Sequence, residues 1–411
     1  MKTKPLDAIH YEIVKLGVED LRKGMFVAEL DRPWRETPFL FEGFEIETDA
    51  DLAAVKQYCH FVYIDLGRTQ AVRVRLEQDL PKTFTTGKPS TSLEQEMVAA
   101  EASKIQTSKL VKSFQDELRF GNSVDVNLAK SAVSQCVASI LRNPDAMMFM
   151  TQMKEKSLHS SAHAFNVCIY SIILGRLCGL RAEELENLGT CGLLHDIGNI
   201  DIPNLILNKK TALNADEFAL VKRHTTYGRD ILMSARTIYS GTVDVAYGHH
   251  ECLDGSGYPR QLVDYQINRN TRIVAVVDKY AALTRNTPYR PAHNHLDAVN
   301  LLTALADANK IDKALCATFL SYLGFYPPGT IVELNSGEVA LVLKSNQGNR
   351  LRPQLLVVRD AEKNPVERVL DLATRPVDEK HRAYKIKTVH LPEYLGIDLS
   401  QHQYALIQAY D

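Results

Sequence analysis

The sequence predicts a mainly α protein with a small N-terminal α/β domain and a short C-terminal β module. Three observations carry that prediction. Between about residues 123 and 324, apolar residues recur at helical intervals in segments near 126–142, 157–178, 182–197, 214–234, 239–250, 271–285, 294–307 and 312–322. Ahead of them lie short β-type runs around one helical stretch, and after Tyr326-Pro327-Pro328-Gly329 the pattern becomes strand-like. The 411-residue length suits two or three domains, and a 45% hydrophobic fraction is enough to build their cores. The expected divisions are 1–78, a small regulatory or packing domain; 79–122, a linker and connecting helix; 123–325, a helical domain; and 326–411, a β-rich module.

Each element has a local reason. Ile13-Val14, Met25-Phe26-Val27 and Phe61-Val62-Tyr63-Ile64 are short β-type runs, and Asp49 to Tyr58 is a helix with Asp49 as its N-cap. This first domain shows no catalytic constellation, so a sensory module and a packing domain stand level. Pro81 to Ser90 has the Pro, Gly, Ser and Thr of a linker. Ser92 to Leu118 follows as a polar helix with Met97, Ile105, Val111, Phe114 and Leu118 along one face, suited to a second subunit in a homodimer or to its own domain. Asn143-Pro144, Gly179 and Asp254-Gly255-Ser256-Gly257 punctuate the helical region. Thr330 to Leu334, Glu338 to Leu343 and Gln354 to Val358 are strands, the first two joined by a turn at Asn335-Ser336-Gly337.

Composition narrows the function classes. A formal net charge of -2 gives no basic footprint for DNA. Seven cysteines without a Cys-x-x-Cys pair fit reduced thiols. The N-terminal residues lack the apolar run of a signal peptide, and Phe165 to Cys178 is too short for a membrane span and contains Arg176. The expectation is a cytoplasmic protein without a membrane span.

The chemistry gathers in the helical region. Six of the 13 histidines lie between His159 and His250. His159 and His163 are four apart and share a helix face. His195-Asp196 ends the next helix, His224 follows Val221-Lys222-Arg223, His249-His250 closes another helix, and Asp278 sits in the apolar run Ile273 to Val277. Singly, His159 and His224 suit a solvated surface, and Asp278 suits a buried hydrogen-bonded carboxylate. Together they suit a metal site, since a buried carboxylate needs a partner and mixed imidazole and carboxylate donors take iron, manganese, zinc or nickel.

The strings His163-x-x-x-Val167, His195-Asp196-x-Gly198, His224-x-x-x-Gly228, His249-His250-x-x-x-Asp254-Gly255-x-Gly257-Tyr258-Pro259 and Arg272-Ile273-Val274-Ala275-x-x-Asp278 resemble the HD-GYP subgroup of the HD-domain phosphohydrolases, over roughly Ser157 to Phe325. The N-terminal module resembles, more loosely, the domain that often precedes HD-GYP domains in bacterial proteins. The resemblance implies an HD-type helical bundle and hydrolysis of cyclic dinucleotides, chiefly cyclic di-GMP and alternatively cyclic GMP-AMP, to the linear dinucleotide. It implies His163, His195, Asp196, His224, His249, His250 and Asp278 as metal ligands, with Asp196 bridging two divalent ions, iron or manganese. A third ion in some members is held by a Glu one turn before the first His, where this chain has His159. His195, Asp196 and residue 199 would serve catalysis, and Gly257, Tyr258 and Arg290 the substrate.

Two positions depart from the family pattern. Asn199 stands where Lys is usual after His-Asp-x-Gly, and Thr287 stands where the first Arg of Arg-Pro-Tyr-Arg is usual, while Arg290 is kept. Asn donates a neutral hydrogen bond but carries no charge. Both losses fall on substrate-facing positive charge, and Arg285 is a candidate to compensate. They leave as an alternative a metal-bound receptor or scaffold for a nucleotide or for a signalling partner such as a diguanylate cyclase. A mononucleotide phosphohydrolase is disfavoured by the Gly-Tyr-Pro string, and a di-iron oxygenase by the family pattern.

Overall fold

The structure is a computed structural model that describes residues 13–32, 44–46, 48–65, 90–153, 159–235, 238–288, 290–344, 346, 351–378, 380–391, 394–397 and 402. The expected linker at Pro81 to Ser90 falls almost wholly outside them. The chain divides into two compact units, 1–82 and 83–411.

In the first unit, strands β1 (Ile13–Gly17), β2 (Phe26–Leu30), β3 (Phe44–Glu45) and β4 (Phe61–Asp65) form an antiparallel sheet in the order β1-β4-β2-β3. Helix α1 (Asp49–Tyr58) contributes Val55 to a core with Leu21, Val27, Leu30, Ile46, Cys59, Val62 and Ile64. The N-cap is Thr48 and not Asp49. Thr48 Oγ1 accepts the Asp51 N–H at 3.1 Å and Asp51 Oδ2 accepts the Thr48 N–H at 2.8 Å, a reciprocal pair that moves the helix start back by one residue.

The second unit is built on helices α2 (Leu93–Arg119), α3 (Val126–Arg142), α4 (Pro144–Gln152), α5 (His159–Leu177), α6 (Ala182–Leu194), α7 (Asn204–Leu207), α8 (Ala215–Lys222), α9 (His224–Ser234), α10 (Ser240–Gly248), α11 (Arg269–Leu283), α12 (His295–Asp307) and α13 (Lys313–Leu323). Helix α5 is the central one. Phe165, Val167, Cys168, Ile169, Ile172 and Leu174 are fully buried, and it packs on α6, α11 and α2. The connecting helix α2 lies against α3, α4 and α5 of its own unit through Met97, Ala100, Val111 and Phe114.

Asn143-Pro144 punctuates the helical region as expected, standing between α3, which ends at Arg142, and α4, which starts at Pro144. The Asn143 side chain accepts the Asp145 N–H, and proline at the first helical position has no N–H to leave unpaired. The expected 214–234 helix is two, α8 and α9, broken at Arg223, which lets His224 open a helix instead of sitting inside one.

Strands β5 (Ile331–Leu334), β6 (Val339–Lys344), β7 (Gln354–Arg359), β8 (Pro365–Asp371) and β9 (Ile386–His390) form an antiparallel sheet in the order β8-β7-β6-β5-β9. The first three match the apolar runs in the sequence. The outer two were missed because edge strands are half-exposed and charged, as in Val366-Glu367-Arg368-Val369.

His295, at the start of α12, ties two segments of this unit together. Its Nε2–H donates to the Gly324 carbonyl at 2.8 Å, and Nδ1 accepts from the Tyr280 hydroxyl at 2.9 Å. Burial lowers its imidazole pKa to about 4, partly offset by the Gly324 contact. The folded pKa lies below the unfolded value of about 6.5, so this contribution to stability is complete above that pH and is lost as pH falls toward 4. Urea unfolding across this range is expected to lose roughly 3 kcal/mol from this group. The His295→Gln variant, which keeps a donor and an acceptor, should lack that part of the slope, and an unchanged slope would refute the assignment.

Candidate metal centre

The site is assembled from helix ends. His163 stands in the second turn of α5, and His195 follows the last residue of α6 with Asp196 next to it. His224 opens α9, His249 and His250 follow α10, and Asp278 lies inside α11. Helix ends suit this purpose because their free backbone carbonyls can hold an imidazole by its far nitrogen. Three of the histidines are held that way: Nδ1–H donates to Gly192 O from His195 at 2.8 Å, to Val221 O from His224 at 2.7 Å and to Val245 O from His249 at 3.1 Å. A carbonyl only accepts, so Nδ1 carries a proton and Nε2 faces inward.

The inward nitrogens meet the two oxygens of Asp196 from two sides. Asp196 Oδ1 lies 3.3 Å from His224 Nε2 and 3.5 Å from His249 Nε2. Asp196 Oδ2 lies 3.6 Å from His195 Nε2 and 4.0 Å from His163 Nε2. Asp278 Oδ1 joins the second side, 3.0 Å from His163 Nε2 and 3.5 Å from His195 Nε2. His250 joins the first, its ring centre 5.0 Å from that of His224 and 4.1 Å from that of His249. Seven of the expected ligands are thus together. The side chain of His159 lies outside the described residues.

The charges fit a cation. Burial opposes ionisation of Asp196 and Asp278, but the surrounding imidazoles, His195 foremost for Asp196 and His163 foremost for Asp278, hold both carboxyls well below the usual range. Burial would lower His195, yet Asp196 and Asp278 outweigh it and raise it to about 9. His163 is lowered by burial and then by the Arg285 guanidinium, and His224 and His250 are lowered chiefly by burial. His195 Nε2 and His163 Nδ1 are buried without a hydrogen-bond partner. An orphaned ring nitrogen between two carboxylates is a position that a divalent ion would satisfy, and these residues fit one.

Two glycines in the sequence strings set close backbone contacts. A Cβ on Gly198 would fall 2.0 Å from His224 O and 2.3 Å from Gly228 N, so only glycine lets the 3-10 turn Ile197–Asp201 meet the first turn of α9 and bring His224 to Asp196. A Cβ on Gly257 would fall 2.3 Å from Cys252 N and 2.5 Å from Glu251 Cα, so the loop after His249-His250 folds back on them. Tyr258 then stacks on His250, ring centres 4.8 Å apart, and its peptide bond to Pro259 is cis. Burial, with Asp196 and Asp278 nearby, raises the Tyr258 phenol. Gly255 has a positive φ of 78° and serves the turn in which Asp254 Oδ1 accepts from Ser256.

The remaining expected residues sit apart from the ligand cluster or carry other contacts. Asn199 is on the 197–201 turn, its N–H donating to Asp196 O at 3.0 Å. Arg290 donates to the carbonyls of Ala282, Leu283 and Pro291, so its guanidinium closes the end of α11. Thr287 bonds Arg290 O through both N–H and Oγ1 in a tight turn. Arg285 has a buried Nε without a partner and lies near enough to act on His163. Sequence reasoning missed Glu251, which is 2% exposed and accepts the N–H groups of Arg260 at 2.7 Å and Leu262 at 3.0 Å, fastening the returning limb of the loop. Nothing in the sequence set it apart from a charged surface residue beside the histidines.

A helical domain that brings His-Asp and four further imidazoles to one carboxylate pair is a divalent-metal domain of the HD type. The HD domain pattern matches residues 141–315, flanked by a domain of unknown function (DUF3391) over 13–129 and a KOW domain associated with HD domain over 331–377. The chain is 33% identical to the cyclic di-GMP phosphodiesterase PA4108 of Pseudomonas aeruginosa, over 87% of this chain and 88% of that protein. It is 33% identical to the 3'3'-cGAMP-specific phosphodiesterase 1 of Vibrio cholerae, over 41% of this chain and 38% of that one. A solved structure of Bd1817, an HDG"Y"P protein from Bdellovibrio bacteriovorus, gives a TM-score of 0.46 at 17% identity, covering 76% of this chain and 99% of that one. The chain belongs to the HD-GYP branch of the HD-domain family of phosphodiesterases. Among the described residues no helix is long and apolar enough to cross a membrane.

The Gly198 contact yields a prediction. Gly198→Ala should cost about 3 kcal/mol, the upper end for overpacking, and should separate His224 from Asp196. A lowered Tm and a reduced metal content in the purified variant are expected. Wild-type values of both would refute the contact.

Proposed function

We propose that this chain hydrolyses one phosphodiester bond of a cyclic dinucleotide, cyclic di-GMP first and cyclic GMP-AMP second, using two divalent ions that share Asp196. The observation that carries this reading is the division of the Asp196 carboxylate, with Oδ1 toward His224 and His249 and Oδ2 toward His195 and His163. His163, His195 and Asp278 would hold one ion, and His224, His249 and His250 the other. Imidazole and carboxylate donors without thiolate favour iron or manganese. A role for His159 in a third site rests on its sequence position alone. The order of substrates is supported by a relative named for cyclic di-GMP that this chain matches over 88% of its length, against 38% for the one named for cGAMP.

Divalent ions held by His163, His195, Asp196, His224, His249, His250 and Asp278 would supply Lewis-acid chemistry, activating water and offsetting phosphoryl charge. The chain's own groups do the rest. The carbonyl-tethered rings of His195, His224 and His249 keep the ligand nitrogens aimed before substrate arrives, so little reorganisation is needed during reaction. Tyr258 and the Gly257 backbone form the wall against which the dinucleotide lies. Asn199 donates a neutral hydrogen bond toward the reacting phosphate, and Arg290 fixes the end of α11 through the carbonyls of Ala282, Leu283 and Pro291.

The second reading is a metal-bound nucleotide receptor or scaffold for a signalling protein. Asn199 and Thr287 favour it, since neither supplies charge for phosphate.

Anaerobically purified protein with its metals counted, incubated with cyclic di-GMP and cyclic GMP-AMP, separates the two. Linear product is expected from the wild type and none from Asp196→Ala, which should also lose metal. Two bound ions with no product from either nucleotide would replace the phosphodiesterase by the receptor. Asn199→Lys is expected to raise kcat by about 10-fold, the worth of one charge-assisted hydrogen bond. No gain, with metals and fold intact, would mean that the site works with a neutral donor at 199.

A further inference from the structure

The dinucleotide carries two phosphates, and the metal centre takes one. Several basic side chains are committed to other contacts, while Arg285 keeps a buried Nε without a partner near His163 and Lys279 lies close enough to act on His250. Arg290 is spent on three carbonyls, Arg272 on Asp264 and Asp312, and Arg229 on Asp230. Arg260 lies over the Tyr247 ring. Lys222 is set apart by its place against the Tyr258 ring. Its ammonium sits 5.1 Å from the centre of the Tyr258 ring and 4.7 Å from that of Phe218, and among the described residues no carboxylate or carbonyl accepts from it. The Tyr258 ring in turn stacks on His250, 4.8 Å away. Lys222 ends α8 two residues before His224, on the same short stretch that delivers a metal ligand.

We propose that Lys222 binds the second, non-reacting phosphate of the cyclic dinucleotide, one aromatic ring removed from the metal centre. This rests on the phosphodiesterase reading above. Ring faces attract an ammonium but satisfy none of its three N–H donors, so a phosphate oxygen outcompetes them. Two rings also remove part of its water, which strengthens attraction to an anion. Lysine suits the role as a compact charge on a flexible stem. Phe218, 47% exposed beside it, offers a face on which a purine can stack. No covalent step is assigned to Lys222.

The test compares two substrates on the full, metal-loaded chain: cyclic di-GMP, with two phosphates, and bis(p-nitrophenyl) phosphate, with one. Lys222→Met and Lys222→Gln should each lower kcat/KM for cyclic di-GMP by about 10- to 100-fold, as for loss of a hydrogen bond to a charged group. Both should leave hydrolysis of the single diester and the metal content within about twofold, and Lys222→Arg should keep most of the cyclic di-GMP activity. If Lys222 merely packs on Tyr258, both substrates fall together, and that result overturns the proposal. So does wild-type cyclic di-GMP turnover in both neutral variants. A wild type that cleaves the single diester but neither hydrolyses nor binds either cyclic dinucleotide overturns the function itself, and the role of Lys222 with it.

Discussion

The carboxylate of Asp196 is the constraint on which the second unit depends. Its two oxygens face two sets of imidazoles, and each set is carried by different helices. Bringing five helices to one residue demands short distances between backbones as well as between side chains. The contact of Gly198 with His224 O and Gly228 N provides one of these, and the return of Gly257 onto Glu251 and Cys252 provides another. The apolar packing of α5 against α6 and α11 supplies the frame within which these polar contacts are made.

Much of this was legible in the sequence, for identifiable reasons. Helices with strong apolar periodicity, such as α5 and α11, have to bury one face and so announce themselves. The clustering of the histidines and aspartates was legible because such residues within apolar surroundings require partners, and the glycines because they stood at fixed offsets from them. Other features depended on partners distant in sequence. The break at Arg223 has no proline or glycine to mark it. Strands β8 and β9 lie at sheet edges, where alternation is weak. Glu251 became recognisable only once the N–H groups of Arg260 and Leu262 were placed over it.

The basic residues show how little a position says about a role until its hydrogen bonds are counted. Arg290 is where a substrate arginine is expected by resemblance, yet three carbonyls occupy its guanidinium. Lys222 attracted no notice beside His224, yet its ammonium rests on two rings without an oxygen acceptor among the described residues. A cation with its donors satisfied acts on the fold, while one without them is available to an anion.

The three Nδ1 tethers to Gly192, Val221 and Val245 make the geometry of the centre depend on groups outside it. Each tether fixes ring orientation with bonds formed during folding, by groups that never touch an ion. The orientation of these rings is thus set by the backbone of the fold itself, and a shift of any of the three carbonyls would turn a ring nitrogen away from Asp196.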